Sequence, residues 1–363
     1  MRLLVINCGS ATLKWKLFAI TEGRQEPLTA GALPLRENGC GEAVGIALSA
    51  LPVRPDAIVH RVVHGGDVAE DILPIDEAEH ARLRGLTSLA PLHNSAALQA
   101  IEATLGLGVP LLAAFDSAFH RTLPELAFRY ALPPIPGVRR YGFHGWSHRY
   151  VTERYADLTR SASPTIITLH LGNGCSAAAI RRGHPVDTSM GYSPLEGLVM
   201  GTRPGDLDPG IALHLLRTGM TLEEVERLLN FGSGLLALAG THDMKELLSR
   251  SDSAARFAVE LFCYRVRKYV GAYLAVLEGA EAVVFTGGIG ERSPEVRRRI
   301  TEPLAWAGLR LDSGRNRRGE ELISADGSGL AVYAIPTDEE RIIAREAARL
   351  LEAASDRVKP KGL

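Results

Sequence analysis

The chain alternates short apolar runs with amphipathic stretches, and its punctuation is mostly glycine and proline. An apolar run over 2–6 predicts a buried strand. The turn Asn7-Cys8-Gly9-Ser10-Ala11-Thr12 then leads into a second strand over 13–20, where Lys14, Trp15, Lys16, Leu17 and Phe18 alternate. Further strands are predicted over 57–63, 109–115, 166–171, 176–180, 282–285 and 330–335. Helical spacing falls over 76–85, 95–105, 150–158, 209–218, 222–229 and 254–277. In the last of these, Phe257, Leu261, Tyr264, Val266 and Tyr269 read as packing residues. Residues 90–94, 133–137 and 231–240 read as loops, and Pro336-Thr337-Asp338-Glu339-Glu340 caps a closing helix.

Two hairpins share one pattern. Strand 166–171, the turn Gly172-Asn173-Gly174 and strand 176–180 repeat the strand, Asn-containing turn and strand of the N-terminus. Asn7 and Asn173 lie 166 residues apart in a chain of 363, close to half its length. An internal duplication is the economical reading, with two like α/β domains facing each other. A lone Gly/Ser hairpin is an ordinary tight turn, but a pair at this spacing suits a clamp for phosphates through backbone N–H groups.

Composition narrows the class. The chain is 46% hydrophobic and 23% charged, enough for a sizeable core in two domains. A net charge of −1 offers no electrostatic footprint for nucleic acid or a membrane surface. Cys8, Cys40, Cys175 and Cys263 are scattered without a CxxC pair, which fits a reducing compartment better than a disulfide framework. The apolar start is too short for a signal peptide and no run would span a bilayer, so a soluble, cytoplasmic protein is expected.

Candidate chemistry concentrates in a few turns. His170-Leu171-Gly172-Asn173-Gly174 lets backbone approach a bound group, and Gly201-Thr202-Arg203-Pro204-Gly205-Asp206 fixes one guanidinium in a second rigid turn. Both turns are expected to face one cleft, a phosphoryl-transfer site. Arg61, inside an apolar strand, is either half of a buried ion pair or a ligand-binding cation. Asp116 follows a strand end, where open α/β sheets place functional groups. His144 sits between glycines in Tyr141-Gly142-Phe143-His144-Gly145-Trp146, where either a structural or a catalytic role is open. Thr286-Gly287-Gly288-Ile289-Gly290-Glu291 enters a helix as a generic nucleotide platform, without the Gly-Lys-Ser/Thr of a P-loop. Glu339 is a candidate metal-side carboxylate, whereas Glu340 reads as a residue favoured by a helix N-terminus.

In that order the segments VINCGSATLK, HRVVHGG, APLHN, FDSAFH, YGFHGWSH, HLGNGCS, MGYSPLEGLVMGTRPGDLDP, FTGGIGE and IPTDEE cover the chain almost end to end. The sequence resembles the acetate kinase family, within the actin, sugar-kinase and heat-shock ATPase superfamily. The resemblance implies two duplicated ribonuclease H-like, actin-like ATPase domains with a cleft between them, 1–117 plus 338–363 and 118–337. It also implies reversible, Mg²⁺-dependent transfer of the ATP γ-phosphoryl group to acetate or propionate, directly and in line, by a homodimer.

Carried onto matching positions, the resemblance makes Asn7 and Glu339 the metal-side ligands. Ser10, Thr12 and Lys14 would lie near the phosphates, with His170, Leu171, Gly172, Asn173 and Gly174. Arg61 would hold the substrate carboxylate and Asp116 would be the acidic residue beside the metal. His144 and Arg203 would stabilise the transferring group, with His93 assisting. Val63, Leu92, Phe143 and Pro194 would form the acyl pocket. Asp243, Met244, Lys245, Gly287, Gly288, Ile289, Gly290 and Glu291 would border the nucleotide.

Some positions depart from the family pattern. Ala11 and Cys175 stand for serines, Trp146 for a small threonine and Lys245 for an arginine, and the regions 23–56 and 118–138 are trimmed. Butyrate, a branched acid or pyrophosphate as donor is the alternative within the class. A non-catalytic nucleotide-binding module is the alternative outside it, and the pair Arg61 and Arg203 with His144 argues against that.

Overall fold

The computed structural model describes residues 1–9, 12–35, 39–88 and 91–358, with the side chains of 88, 91–93 and 356–358 outside that description. The chain forms two compact units, Met1–Arg121 with Asp338–Leu363, and Thr122–Thr337.

The first unit is built on six strands: β1 (Arg2–Cys8), β2 (Thr12–Thr21), β3 (Arg24–Pro34), β4 (Ala57–Val62), β5 (Ile72–Pro74) and β6 (Leu111–Phe115). Their order is β3-β2-β1-β4-β6-β5. β1 is apolar on both faces, as a central strand covered on both sides requires. Alternation sends Leu4, Ile6 and Cys8 into a core with Val44 of the helix Gly39–Ser49, and Leu3 and Val5 to the other face. The helices Pro91–Glu102 and Glu339–Val358 also pack on β1.

β1 runs parallel to β4, pairing Ile6 with His60, and β4 runs parallel to β6, pairing Val62 with Phe115. This register brings the C-terminal ends of three strands together, and Asn7, Arg61 and Asp116 all sit at those ends.

The second unit carries β7 (Ile166–Leu171), β8 (Cys175–Arg181), β9 (His184–Thr188), β10 (Ala282–Thr286) and β11 (Ala331–Ala334). Their order, β9-β8-β7-β10-β11, repeats β3-β2-β1-β4-β6. In both units three antiparallel strands are followed by parallel ones. The duplication expected from two hairpins therefore extends to five strands of each sheet.

Several expectations are corrected. The helix expected from residue 95 begins at Pro91, whose fixed φ and missing N–H suit a first turn. The helix expected from residue 150 begins at Gly145. Residues 231–240 hold the short helix Gly234–Ala239 rather than a plain loop. The turn after β10 is itself helical, Gly287–Arg292. Phe257 and Tyr264, expected to pack, are 58% and 51% exposed. Cys8 and Cys40, expected to be scattered, are brought together with Cα atoms 6.6 Å apart, because alternation along β1 aims Cys8 at the helix that carries Cys40.

Candidate active site

In the first unit the polar residues gather on one guanidinium. Arg61, on β4, donates from Nε to Asp116 Oδ1 at 2.8 Å and from Nη1 to Asn7 Oδ1 at 2.9 Å. Nη2 bonds the second Asp116 oxygen, which makes the pair bidentate, and Glu339 Oε2 lies 3.4 Å from Nε. Asp116 is held at the end of β6 by its N–H to Val62 O at 3.0 Å. Burial works against the charge of Arg61, but Asp116 and Glu339 beside it raise its pKa above the usual value. Of the two readings open for Arg61, the structure draws the ion pair. Glu340 is pushed up by burial, with the charge of Glu339 adding to the effect.

Three oxygen-bearing groups, Asn7, Asp116 and Glu339, thus gather around the Arg61 guanidinium. Hard oxygen donors of this kind fit Mg²⁺, which takes one or two carboxylates and completes its shell with phosphate and water.

Lys14 pairs with Asn7 across the hairpin and is exposed, and Thr12 accepts the N–H of Gly9 on its carbonyl at 3.0 Å. Val63 is buried just past β4. Ser10 lies outside the described residues, as do the side chains of Leu92 and His93 on the helix Pro91–Glu102.

In the second unit His144 precedes the helix Gly145–Thr159 in the left-handed region, at φ 55° and ψ 28°. Such a backbone is strained for a residue with a Cβ. The strained turn lets the ring stack on His170, with centroids 4.2 Å apart and planes 22° apart. His144 Nδ1 lies 2.9 Å from Ser176 Oγ, and Ser147 Oγ lies 2.7 Å from His170 Nδ1. His170 is therefore a wall for His144.

Arg203 presents the opposite picture to Arg61. Nη1 donates to Pro194 O at 2.7 Å, and no carboxylate among the described residues pairs with it. Burial without a counter-charge pulls its pKa down to about 10, which still leaves it cationic at neutral pH. A Cβ on Gly174 would lie 3.0 Å from Arg203 Nη2 and 3.2 Å from His144 Nε2, so both groups converge above that glycine. Neither Gly172 nor Gly174 has a positive φ, so close approach and not backbone freedom is what requires glycine at 174.

The turns at 172–174 and 201–206 meet. The Gly201 N–H donates to Asn173 O at 2.9 Å, and a Cβ there would collide with Asn173 Oδ1. Gly205 has φ +74°, and a Cβ on it would lie 2.5 Å from Gly197 O. The helix Gly234–Ala239 braces this turn from behind. Ser233, Leu235 and Leu236 donate their N–H groups to the carbonyls of Thr202, Met200 and Gly201 at 2.9–3.0 Å. The unused donors of a helix start thereby fix the arginine turn. Sequence reasoning did not single out this brace.

The nucleotide-side residues divide. Gly287, φ +75°, is wedged against Leu171 O, while Gly288 is exposed with nothing within 4 Å of a Cβ. Glu291 is turned inward, where Oε1 accepts from Gly287 N at 3.0 Å and Thr337 N at 2.9 Å. Its carboxylate is thus committed to the loop. Buried Arg297, another residue missed, donates to the carbonyls of Gly290 and Glu291 at 2.8 and 2.7 Å. Ile289 is half-buried and Gly290 buried. Asp243 caps the helix Met244–Ser249 by accepting Lys245 N–H at 2.9 Å, Met244 is buried and Lys245 is exposed.

Phe143 and Pro194 are buried. Trp146 is buried too, its indole N–H without a partner among the described residues. Burial pushes the Cys175 thiol up to about 12, so it is no nucleophile at neutral pH.

The sequence profile of the Acetokinase family matches residues 49–345. The chain belongs to the acetokinase family. A relative named acetate kinase from Chloroherpeton thalassium is 41% identical over 96% of this chain and 99% of its own length. Another from Solibacter usitatus is 50% identical over 81% of this chain and 76% of its own. The solved structure of a propionate kinase from Francisella tularensis superposes with a TM-score of 0.87 at 34% identity, covering 95% of this chain and 98% of that one. Porphyromonas gingivalis acetate kinase gives 0.84 at 35% identity, covering 96% and 99%. The family is one of two duplicated actin-like ATPase domains, in keeping with the repeated sheet order.

Proposed function

We propose that this protein is an acetate kinase, transferring the γ-phosphoryl group of ATP reversibly to acetate to give acetyl phosphate and ADP. The observation that carries the reading is Arg203, a partly buried guanidinium without a carboxylate partner among the described residues, converging with His144 above Gly174. A planar cation prepared for an anion is what a phosphoryl group with charge on three equatorial oxygens requires.

Asn7, Asp116 and Glu339 would hold Mg²⁺, which when bound neutralises phosphate charge. Were Asp116 and Asn7 to exchange Arg61 for that ion, the fork of Arg61 would be available for the substrate carboxylate. That exchange reconciles the observed ion pair with a ligand-binding role. The acid is already ionised at neutral pH and needs no general base. One of its oxygens forms a bond to the γ-phosphorus while the bond to the bridging β–γ oxygen breaks, and the pair of electrons leaves with ADP. Arg203 and His144 donate to the equatorial oxygens, with His93 assisting. No phosphoenzyme is required.

In this reading Ser10, Thr12, Lys14 and the 170–174 segment attend the phosphates, and Gly288 and Ile289 border the adenine with Asp243, Met244 and Lys245. Val63, Leu92, Phe143 and Pro194 receive the acyl tail. The two domains are assigned as 1–117 plus 338–363 and 118–337. A second acid, propionate, is favoured by the likeness to the propionate kinase structure. A cytoplasmic location belongs to this reading, and no helix among the described residues is long and apolar enough to cross a membrane. A homodimer is supported by the helix Pro209–Arg217, which buries none of its residues and exposes Ile211, Leu213 and Leu216.

The test is acyl phosphate formation, trapped as hydroxamate, with ATP, Mg²⁺ and acetate, propionate, butyrate or isobutyrate. Turnover greatest on acetate or propionate is expected. Turnover on none of the four acids with ATP would overturn the reading and direct attention to pyrophosphate as donor.

A further inference from the structure

Behind His144 lies a buried chain of hydrogen-bonding groups with no role in the reaction as proposed above. His144 Nδ1 is 2.9 Å from Ser176 Oγ, and Ser176 Oγ is 2.7 Å from His148 Nε2. His148 Nδ1 is in turn 2.8 Å from Thr168 Oγ1. Thr168 and Ser176, on β7 and β8, are inaccessible to solvent, as is His148 one helical turn beyond His144.

We infer that Thr168, His148 and Ser176 form a one-way hydrogen-bond relay that holds His144 as the neutral Nε2–H tautomer, donating to the transferring phosphoryl group. The inference rests on the proposed role of His144 and deepens it.

The direction follows from counting hydrogens. A hydroxyl carries one hydrogen, and the Thr168 hydroxyl has His148 Nδ1 as its one partner among the described residues. If His148 Nδ1 carried a proton, Thr168 could only accept, and its own hydrogen would be buried without an acceptor. Thr168 therefore donates, and His148 Nδ1 is bare. The neutral ring then bears its hydrogen on Nε2 and donates to Ser176.

Among the described residues Ser176 has only the two histidines as side-chain partners, so its hydrogen goes to His144 Nδ1. The hydrogen of His144 is left on Nε2, the atom that converges with Arg203 above Gly174. The reverse polarity would leave a lone pair there, facing an anion. A cationic His144 would need Nδ1–H opposite the Ser176 hydrogen and would stand beside the Arg203 charge. Fixing a ring's tautomer through its second nitrogen is a known use of outer groups. Ser176, His148 and Thr168 are positioning residues in this account.

The test combines turnover with ¹⁵N NMR of histidine-labelled enzyme, the His144 signals being assigned by difference with His144→Gln. The wild type should show one His144 tautomer, Nε2–H. Ser176→Ala should lower kcat roughly ten- to a hundredfold with KM for both substrates little changed, and mix the His144 tautomers. His148→Leu should do the same, whereas His148→Gln should restore turnover by placing an amide N–H where Nε2–H stood. The near-isosteric Thr168→Val should mix the tautomers without disturbing the fold, so it carries the test if a Ser176 or His148 variant fails to fold. A wild-type His144 that is cationic or protonated on Nδ1 would overturn the relay, as would unchanged kcat and tautomer in Ser176→Ala and Thr168→Val. Full turnover in His144→Ala would instead overturn the role of His144 on which the relay rests.

Discussion

Arg61 and Arg203 are both largely covered guanidiniums, one on β4 of the first unit and one in the turn 201–206 of the second, and their surroundings differ in kind. Arg61 is saturated: a bidentate pair with Asp116, an amide oxygen from Asn7 and a second carboxylate at 3.4 Å. Arg203 is held by a neutral carbonyl, and no carboxylate among the described residues pairs with its charge. Carboxylates raise the pKa of the first, while burial lowers that of the second. An arginine that is paired stabilises the fold and must exchange partners before it can bind. An arginine that is unpaired weakens the fold and is ready for an anion. The two arginines sit on unlike elements, a strand and a turn, and in each case the neighbours decide whether the cation serves stability or transfer.

The largest effect expected from this contrast is on stability. Arg61→Ala leaves Asp116 and Glu339 facing each other in a buried site, and should cost about 3–5 kcal/mol in urea unfolding. Mg²⁺ should recover more of that loss in the variant than it adds to the wild type, because it can replace the lost cation. Equal Mg²⁺ responses in the two proteins would argue against these residues as its ligands.

Next comes the cradle. Gly174→Ala inserts a methyl group at 3.0–3.2 Å from Arg203 and His144 and should lower kcat about tenfold by pushing them apart. Gly45→Ala, on the helix Gly39–Ser49, where a Cβ meets nothing within 4 Å, should leave kcat within about twofold. Equal effects at both positions would show that the convergence above Gly174 has no catalytic weight.

A last effect, spread over several pH units, concerns His60, beside Arg61 on β4. Burial lowers its pKa to about 3 from the ordinary 6.5. The unfolded chain therefore binds the extra proton between those values, and stability falls as pH drops below 6.5. This group alone should contribute about 1.4 kcal/mol per pH unit in that window. His60→Gln should flatten the acid side of the stability profile. An unchanged slope from pH 6.5 to 4 would place the proton uptake elsewhere.

Much of this was legible in the sequence, for identifiable reasons. Strands β1, β7 and β10 are short apolar runs bounded by turn residues, and both hairpins announced themselves through Asn and Gly. The edge strand β3 and the helix Gly39–Ser49 were not anticipated. β3 buries no residue, and glycines interrupt the helix pattern, so neither shows a clear apolar face. The starts at Pro91 and Gly145 were hidden because proline and glycine read as loop punctuation. Phe257 and Tyr264 lie on the outward face of a helix whose spacing alone could not say which side is covered.

In the site, the residues facing ligands were named from motifs, but their supports were not. Ser176 and Thr168 look like ordinary strand residues until the fold brings His148 against them from 20 and 28 positions away. The helix start that braces Arg203, and Arg297 behind the Gly287–Arg292 turn, are likewise tertiary facts without a local signature.

The central claim is that the unpaired charge of Arg203 serves the transition state and not the fold. The most direct test is the turnover of Arg203→Ala beside the wild type, at saturating ATP, Mg²⁺ and acetate. The account predicts a kcat lower by roughly 10²–10³ in a protein at least as resistant to urea as the wild type. A kcat within about threefold of wild type would contradict it, because a loss of one transition-state donor cannot be that small.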